Sequence, residues 1–239
     1  MLNYPTVDQF AAQAVGVPGK IEMIWQPLYD WNIYPLAGIA QLLFFQVPQG
    51  AGFTAQPVAA AAPKSEADTI MTQPGQLPAP QAFWVDGTEI CIDPGSTATA
   101  NLFGNAVPTL FTVASAAASA IAIQDTNNIA RTGLVTFNVM QKVQYEDQPI
   151  YRFPPRSAVR FDGALSTTSA AGNVGTVATQ SVRNEGIGVR FVPGYGIKTS
   201  SNFNVKIAWP ALITLAAPGS GFNARIGVIL NGWLFRAAQ

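Results

Sequence analysis

The sequence predicts an all-β protein built as an antiparallel β-sandwich or barrel. Three observations lead to this fold class: about nine to eleven short apolar or alternating segments, turn residues between nearly all of them, and no amphipathic helix of more than three turns. Strands do not alternate regularly with helices, which argues against a parallel α/β fold. No internal repeat is present, which argues against a propeller or a solenoid.

The first 35 residues predict an N-terminal arm, followed by a sandwich domain over residues 36–239. Within the arm, residues 6–16 are typical of a short helix with Thr6 as N-cap. Residues 20–26 are typical of a short strand.

From residue 40 onward the pattern is mainly that of strands. Residues 42–47 predict a strand, and residues 51–66 predict a loop rich in Ala and Pro. Residues 83–92 predict one long strand, because a hairpin at Asp86-Gly87 would have arms of only about four residues. Residues 106–123 fit a buried helix or two strands, since periodicity does not distinguish them.

The second half alternates more clearly. Apolar residues at every second position predict a half-buried strand over 135–145, with Met140 as the exception. Shorter strands are predicted at 150–153, 158–161, 187–192, 203–209 and 212–216, and a long mobile loop at 163–181. Residues 225–235 predict a closing strand inside the sheet, because both of its faces are apolar. The predicted core includes Phe137, Val139, Val205, Ile207, Val228 and Leu230.

Composition excludes several classes of function. The chain has no histidine and one cysteine, so it cannot carry a Ser-His-Asp or Cys-His catalytic set, an HExxH zinc site or an intrachain disulfide. Its net charge is zero, whereas proteins that coat nucleic acid need a basic excess. Charged residues make up 11%, against about 25% in an average domain, which favours a surface buried against neighbours. Neither a signal peptide nor a transmembrane helix is predicted.

Acidic residues offer three candidate sites. Glu146-Asp147 could bind calcium or supply a glycosidase carboxylate, but neighbours on a strand point to opposite faces. Asp86 and Glu89 diverge for the same reason. Residues 125–128 (DTNN) could ligate calcium, but they lack the Gly and the distal Glu of an EF-hand loop, and an Asx-turn explains them more simply.

The other candidates are also better explained by structure than by chemistry. Arg152, Arg156 and Arg160 are too few for a nucleic-acid footprint and favour an ion pair between subunits. The glycines at 186, 188, 194 and 196 open no helix and are interpreted as turn and bulge residues, and Cys91 as a small core residue. The five tryptophans could stack on sugars, although four of them lie in apolar runs typical of core or interface. They are Trp25, Trp31, Trp84, Trp209 and Trp233. We therefore predict no catalytic, cofactor-binding or metal-binding residue.

The order of segments over residues 40–236 resembles the jelly-roll capsid proteins of tailless bacteriophages, including virion proteins of environmental phage genomes. The segments that carry the resemblance are 43–50, 67–69 with 75–78, 82–92, 134–140, 152–155, 203–210 and 224–236. The resemblance implies a jelly-roll subunit with an N-terminal arm and long loops. The chain is short for two eight-stranded rolls, which favours a single jelly roll, with a compact double jelly roll as the alternative.

The resulting functional prediction is a virion structural protein without enzymatic activity or cofactors. It would be a major capsid protein that self-assembles into an icosahedral shell, with other virion proteins and an internal membrane as further partners, and with no sequence-specific nucleic acid. The arm, with its excess of acidic over basic residues and its aromatic residues, would dock on a neighbouring subunit or line a membrane. Two alternatives remain: a phage spike, decoration or carbohydrate-binding module, and a glycan-active enzyme with two convergent carboxylates.

Overall fold

The fold is an all-β sandwich of two antiparallel sheets, as the sequence predicts. The computed structural model describes residues 21–52, 63–97, 125–140, 142–155, 158–165, 176–183, 189–215 and 222–237. Strands account for 54% of the structure and helices for 8%. The helix content is well below the third that would contradict an all-β prediction.

Eleven strands are described. They are β1 (Ile21–Trp25), β2 (Leu28–Tyr34), β3 (Gln41–Phe44), β4 (Ala82–Thr97), β5 (Leu134–Val139), β6 (Lys142–Pro149), β7 (Ala158–Leu165), β8 (Thr176–Arg183), β9 (Val189–Ile197), β10 (Phe203–Ala208) and β11 (Phe222–Ala237). Residues 125–132 are helical, and Ile150–Arg152 form a single turn of 3-10 helix.

The strands form two sheets and a separate ribbon. Sheet I has β11 at its centre, with β4 and then β9 on one side and β1 and β2 on the other. Sheet II has the order β3-β10-β5-β6, and β7 pairs with β8 alone. The pairs β2·β11, β3·β10, β4·β9 and β5·β6 are therefore nested in sequence, and all of them are antiparallel.

The core lies between the inner faces of the two sheets. In β10, Phe203, Val205 and Ile207 are buried, and the residues between them are half-buried, which is the period of two expected of a strand. All six residues predicted for the core are buried. The rings of Phe137 in sheet II and Phe191 in sheet I are stacked with centroids 6.4 Å apart, so aromatic contacts join the two sheets.

A β-bulge at Asp86 reverses the face that the side chains of β4 present. Gly232 of β11 is opposite Val85, while the preceding Asn231 is opposite Gly87, so Asp86 is the extra residue. Phe83 and Val85 consequently point into the core before the bulge, and Ile90 does so after it. Residues 83–92 thus belong to one long strand, as predicted, and the Asp-Gly dipeptide forms a bulge within it.

Three predicted strands have a different structure. Residues 134–149 form a hairpin rather than one strand, because the chain reverses at Met140, whose φ is 52°. Residues 150–152 form the 3-10 turn, confined between Pro149 and Pro154. The predicted strand at 212–216 is also wrong: residues 212–215 form no ladder, and the backbone N–H of Leu215 donates to the carbonyl of Leu36 (2.9 Å).

The long loop predicted at 163–181 is shorter than expected. β7 and β8 pair over eight positions from Ala158↔Arg183 to Leu165↔Thr176, so strand residues occupy both ends of the predicted loop. β9 also continues past Pro193, where the sequence predicts a stop. Pro193 lies in the irregular stretch between Arg190 and Tyr195, where β4 and β9 are not paired, so its missing N–H costs no ladder hydrogen bond.

The second half of the predicted arm belongs to sheet I. β1 and β2 both pair with β11, and Gln26-Pro27 separates them. Residues 1–20, which include the predicted helix at 6–16, lie outside the described residues, as do residues 106–123.

Candidate functional site

Three tryptophans form a row across the outer face of sheet I. Trp233 of β11 is opposite Trp25 of β1 on one side and Trp84 of β4 on the other. The rings of Trp25 and Trp233 meet edge to face, with centroids 5.1 Å apart at 73°. Such a row concentrates aromatic area on one side of the sheet, where it can exclude water from a contact.

A second apolar row runs beside the tryptophans. Met23 of β1 is opposite Phe235 of β11, which is in turn opposite Ala82 of β4. Phe235 and Ala82 are buried under Trp84 and Trp233, whereas Met23 and Trp25 remain 43% and 42% exposed. We call the surface formed by Ile21, Met23, Trp25, Trp84, Trp233 and Phe235 the outer aromatic face.

The indole of Trp84 is held in place by a glycine of the neighbouring strand. A Cβ at position 194 would lie 2.5 Å from Nε1 of Trp84 and 2.5 Å from the carbonyl oxygen of Val85. Only glycine leaves room for this contact, so Gly194 determines how the ring packs on the sheet. The interpretation of Gly194 as a structural residue therefore agrees with its contacts.

The second edge of β1 is not paired with any described strand. The outer edge of β2 is covered, because the N–H of Trp31 donates to the carbonyl of Asp68 (2.8 Å) and the N–H of Ile70 donates to that of Tyr29 (3.2 Å). Within the described part of the chain, β1 pairs with β11 only. An exposed, apolar edge strand is a template for pairing with another strand. An ion pair between Glu22 and Arg236, at 2.8 Å, joins β1 to β11.

A cleft of about 240 Å³ opens beside β1, between the end of sheet I and residues 70–81. Its wall combines apolar side chains such as Leu28, Leu77 and Leu234 with the polar side chains of Gln76 and Arg236. The cleft is small for a ligand site, since such sites usually measure about 300–1,000 Å³.

Farther along β11, the outer face of sheet I is polar and buried. Arg225 is 2% exposed, and its guanidinium lies 3.9 Å from the ring centroid of Trp31. Nδ2 of Asn231 donates to Glu89 at 2.5 Å, and both residues are buried. These contacts hold β2, β11 and β4 together by cation–π and hydrogen-bond interactions.

A buried ion pair links β2 to the last residues of the Ala- and Pro-rich segment. Nζ of Lys64 lies 2.6 Å from Oδ1 of Asp30, and both side chains are 0% exposed. The second oxygen of Asp30 accepts a hydrogen bond from the backbone N–H of Phe45 (2.6 Å). Asp68, also 0% exposed, accepts hydrogen bonds from the N–H and hydroxyl of Ser65 through Oδ2.

Burial moves both members of this pair toward their neutral forms. Desolvation raises the pKa of Asp30 above its ordinary value, although the charge of Lys64 opposes the shift. Desolvation lowers the pKa of Lys64, against the opposing influence of Asp30 and Asp68. A carboxyl group and an amine are thus in contact in an environment without water, which disfavours both charges.

The structure does not bring the predicted acidic candidates together. Asp86 forms an exposed ion pair with Arg190 at 3.3 Å, whereas Glu89 is buried against Asn231. Glu146 and Asp147 lie on β6, and their side chains are outside the described part of the structure. Residues 125–128 are helical, so the predicted Asx-turn is wrong. Among the described residues, no group of three His, Cys, Asp or Glu side chains could hold a metal ion.

The remaining candidates are found in structural positions. Arg152 is exposed and donates to Gln148 (2.6 Å), while the side chains of Arg156 and Arg160 are not described. Cys91 is half-buried on β4. Trp209 lies in the core, as predicted, and its Nε1 donates to the carbonyl of Ile129 (3.2 Å). Gly186 and Gly188 lie outside the described residues.

The described helical segments include none with the length and hydropathy of a membrane-spanning helix. Comparison of the chain with protein-family models, with curated proteins and with solved structures gives no match.

Sequence reasoning missed the Asp30–Lys64 pair, although a signal for it exists. Lys64 is the only Lys or Arg between residues 21 and 130, and it follows an apolar, charge-free stretch. Asp30 alternates with Leu28, Asn32 and Tyr34, so it lies on the inward face of β2. A charge on an inward face requires a buried partner, and Lys64 is the only Lys or Arg of residues 21–130 that could supply it.

Proposed function

We propose that the chain is a single jelly-roll virion protein, a capsid subunit that assembles by symmetry into a shell. The observation that carries the proposal is the nested order of the strands. Jelly rolls consist of eight strands in two sheets and are found in viral capsids, lectins and cupins.

The strand order fits this topology if β1 and β2 count as one interrupted strand and the β7–β8 ribbon as an insertion. The first of the eight strands then pairs with the last, the second with the seventh, the third with the sixth and the fourth with the fifth. A long antiparallel hairpin wrapped around a core produces this nesting. Eight strands in two sheets support one roll rather than two.

A fold by itself does not define a function, so the surface has to distinguish among proteins with this topology. The absence of histidine speaks against the metal chemistry of a His-based site. The low charge and the outer aromatic face instead suit a subunit that buries surface against other copies.

The contact we propose uses the open edge of β1. A second copy of the chain would pair its β1 antiparallel to this one about a two-fold axis at Met23. That register sets Trp25 opposite Ile21 of the second copy and Met23 opposite Met23, so the exposed apolar side chains of both copies adjoin on one face. Such an isologous contact is self-complementary, as a two-fold interface requires.

The experiment that tests this function is a measurement of particle mass, combined with electron microscopy of the purified chain. A capsid subunit gives closed shells or their symmetric intermediates. A chain that remains monomeric at every protein concentration, pH and salt concentration tested would contradict the proposal.

Two variants locate the interface. Replacing Met23 and Trp25 by Glu places two charges on the outer aromatic face, and we expect a folded subunit that no longer assembles. Leu212→Glu is the matched control, since Leu212 is 62% exposed and lies outside that face. If only the control variant failed to assemble, the interface would have to be moved away from β1.

A carbohydrate-binding or spike module is the second candidate, favoured by the exposed ring of Trp25. Aromatic rings stack on sugar faces. Glycan-array binding by a monomer or a lone trimer, lost in Trp25→Ala, would support this alternative over the shell.

A further inference from the structure

We propose that Lys64 and Asp30 are joined by an intramolecular isopeptide bond, formed by the chain itself with Asp68 as the proton relay. The proposal concerns a covalent modification site in the core of the fold, and it does not depend on assembly. It is carried by the contact of amine and carboxyl group, by the hydrogen-bond donor on the carboxyl group, and by a second buried carboxylate beside them.

The reacting groups are held in contact and away from water. The 2.6 Å separation of Nζ and Oδ1 is at the short limit for a charge-assisted hydrogen bond, and neither side chain is accessible to solvent. The backbone of Lys64 is fixed on both sides, because its N–H donates to Ala51 and its carbonyl accepts from Gly50, each at 2.8 Å. Contact of this kind replaces a bimolecular encounter by an intramolecular one, which accelerates reactions greatly.

The carboxyl group of Asp30 is prepared for attack. Oδ2 accepts the N–H of Phe45 at 2.6 Å, and this donor stabilises the negative charge that develops on the oxygen during addition. Phe45 has a φ of 67°, in the left-handed region that bulky residues seldom adopt. Backbone strain of this kind is found most often where it positions a functional group.

Asp68 is placed to relay the proton. Residue 69 forms a bridge with Asp30, and the carbonyl of Asp68 accepts from Trp31, so Asp68 follows the same strand edge. Its Oδ2 accepts hydrogen bonds from the N–H and the hydroxyl of Ser65, the residue next to Lys64. The charge of Asp68 also opposes the lowering of the pKa of Lys64 by desolvation. Oδ1 of Asp68 is buried and accepts no hydrogen bond from the described residues, so it has the capacity to take a proton.

The reaction balances without an oxidant or a cofactor. The neutral amine of Lys64 attacks Cγ of the protonated carboxyl group of Asp30, the C–N bond forms, and the carbonyl electrons move to Oδ2. Asp68 accepts a proton from the nitrogen and delivers it to Oδ1. The Cγ–Oδ1 bond then breaks, Oδ1 leaves as water, and an amide remains.

Protonation and desolvation favour this direction. Burial shifts the pKa of Asp30 upward and that of Lys64 downward, which populates the acid and the free amine that the reaction needs. The product replaces two buried charges by a neutral amide, which removes the desolvation cost of the ion pair.

Intact-mass spectrometry of the full, denatured chain tests the proposal directly. We expect the wild-type mass to be lower than the sequence mass by one water molecule. No Lys or Arg lies between Asp30 and Lys64, so tryptic digestion should give a single peptide of residues 21–131 that is lighter by one water molecule and is not cleaved after Lys64. A folded wild-type chain with the full sequence mass after prolonged incubation would overturn the proposal.

Two variants and one control assign the chemistry. Lys64→Arg keeps the positive charge but cannot form this amide, so its mass should equal its sequence mass. Asp68→Asn should fold and keep the pair in contact, yet lose water only partly or slowly. Lys198→Arg, at an exposed position, should lose water like the wild type. If Lys64→Arg still lost a water molecule, the dehydration would lie elsewhere and the proposal would be wrong.

Discussion

Asp30 shows how one side chain can link three parts of the chain. Asp30 lies on β2 and accepts a hydrogen bond from Phe45, the residue that follows β3. It also contacts Lys64, near the end of the Ala- and Pro-rich segment. Each of these contacts is possible because Asp30 alternates inward with apolar residues. A buried charge of this kind makes stability sensitive to its partner.

The first prediction concerns Lys64→Met. Without the cation, the pKa of Asp30 rises further above 3.8, because the strongest lowering influence is gone. The folded state then binds the proton of Asp30 more tightly than the unfolded state does. The contribution of Asp30 to the free energy of unfolding is therefore complete at pH values below 3.8 and is lost as the pH rises from there through the pKa of the folded state. We expect the free energy of unfolding of Lys64→Met to be lower than that of the wild type by about 3–5 kcal/mol at neutral pH, and by less in acid.

Urea unfolding at a series of pH values measures this effect. Lys206→Met, at a half-buried position on β10, is the control and should not add a new pH dependence. A Lys64→Met midpoint that did not change between about pH 4 and pH 8 would contradict the assignment of Asp30 as the titrating group.

The second prediction concerns Gly194→Ala. The added methyl group would meet the indole of Trp84 and the carbonyl of Val85 at 2.5 Å, so the row of tryptophans or β9 must shift. We expect a loss of about 1–3 kcal/mol in the free energy of unfolding, as for overpacked sites. Gly52→Ala is the control, because no atom lies within 4 Å of a Cβ there. Equal denaturant midpoints for the two variants would show that Trp84 does not depend on Gly194.

At the scale of elements, alternation predicts most strands correctly but does not reveal where the chain reverses. Residues 135–145 keep their period of two on both sides of Met140, which is the one exception, so the sequence predicts one strand. The reversal depends on the positive φ of Met140, and nothing in the sequence predicts this conformation at a methionine. The bulge at Asp86 cannot be predicted from the local sequence either, because it depends on the pairing of β4 with β11.

Long-range contacts are also difficult to predict from local sequence patterns. The tryptophan row joins residues 25, 84 and 233, which only the pairing of β1, β11 and β4 brings into register. The Asp30–Lys64 contact likewise joins residues 34 positions apart. Local periodicity identifies the face on which a residue lies, but partners on other strands follow from the topology.

The third prediction belongs to β11. This strand pairs with β4 along one side and with β1 and β2 along the other, and it buries Ile226, Val228, Leu230 and Leu234. Four such side chains contribute about 6–12 kcal/mol, which is comparable to the whole stability of a domain, about 5–15 kcal/mol. A chain that ends at Asn223 should therefore not fold.

Circular dichroism and denaturant unfolding of the truncated chain provide the measurement. A chain that ends at Ala237, where β11 ends, is the matched control and should unfold cooperatively. A cooperative transition in the chain that ends at Asn223 would mean that β11 is not the central strand of sheet I.

At the scale of the whole molecule, the charge distribution indicates which forces drive assembly. Only 11% of the residues are charged, and the net charge is zero. The outer aromatic face carries Ile21, Met23 and Trp25 at its exposed border. In the proposed assembly, burial of apolar area would be the main source of free energy on association, and ion pairs would contribute little.

The last prediction follows from this balance. Raising the salt concentration from about 0.1 M to about 1 M shortens the Debye length from about 10 Å to about 3 Å, which weakens contacts between exposed charges. An assembly held by apolar burial should persist under this change, and sulfate should strengthen it, since excluded salts favour burial. Light scattering at constant protein concentration, with sodium chloride and sodium sulfate compared at equal ionic strength, measures the outcome. Dissociation in both salts would show that charged contacts between the subunits, rather than the outer aromatic face, hold the subunits together.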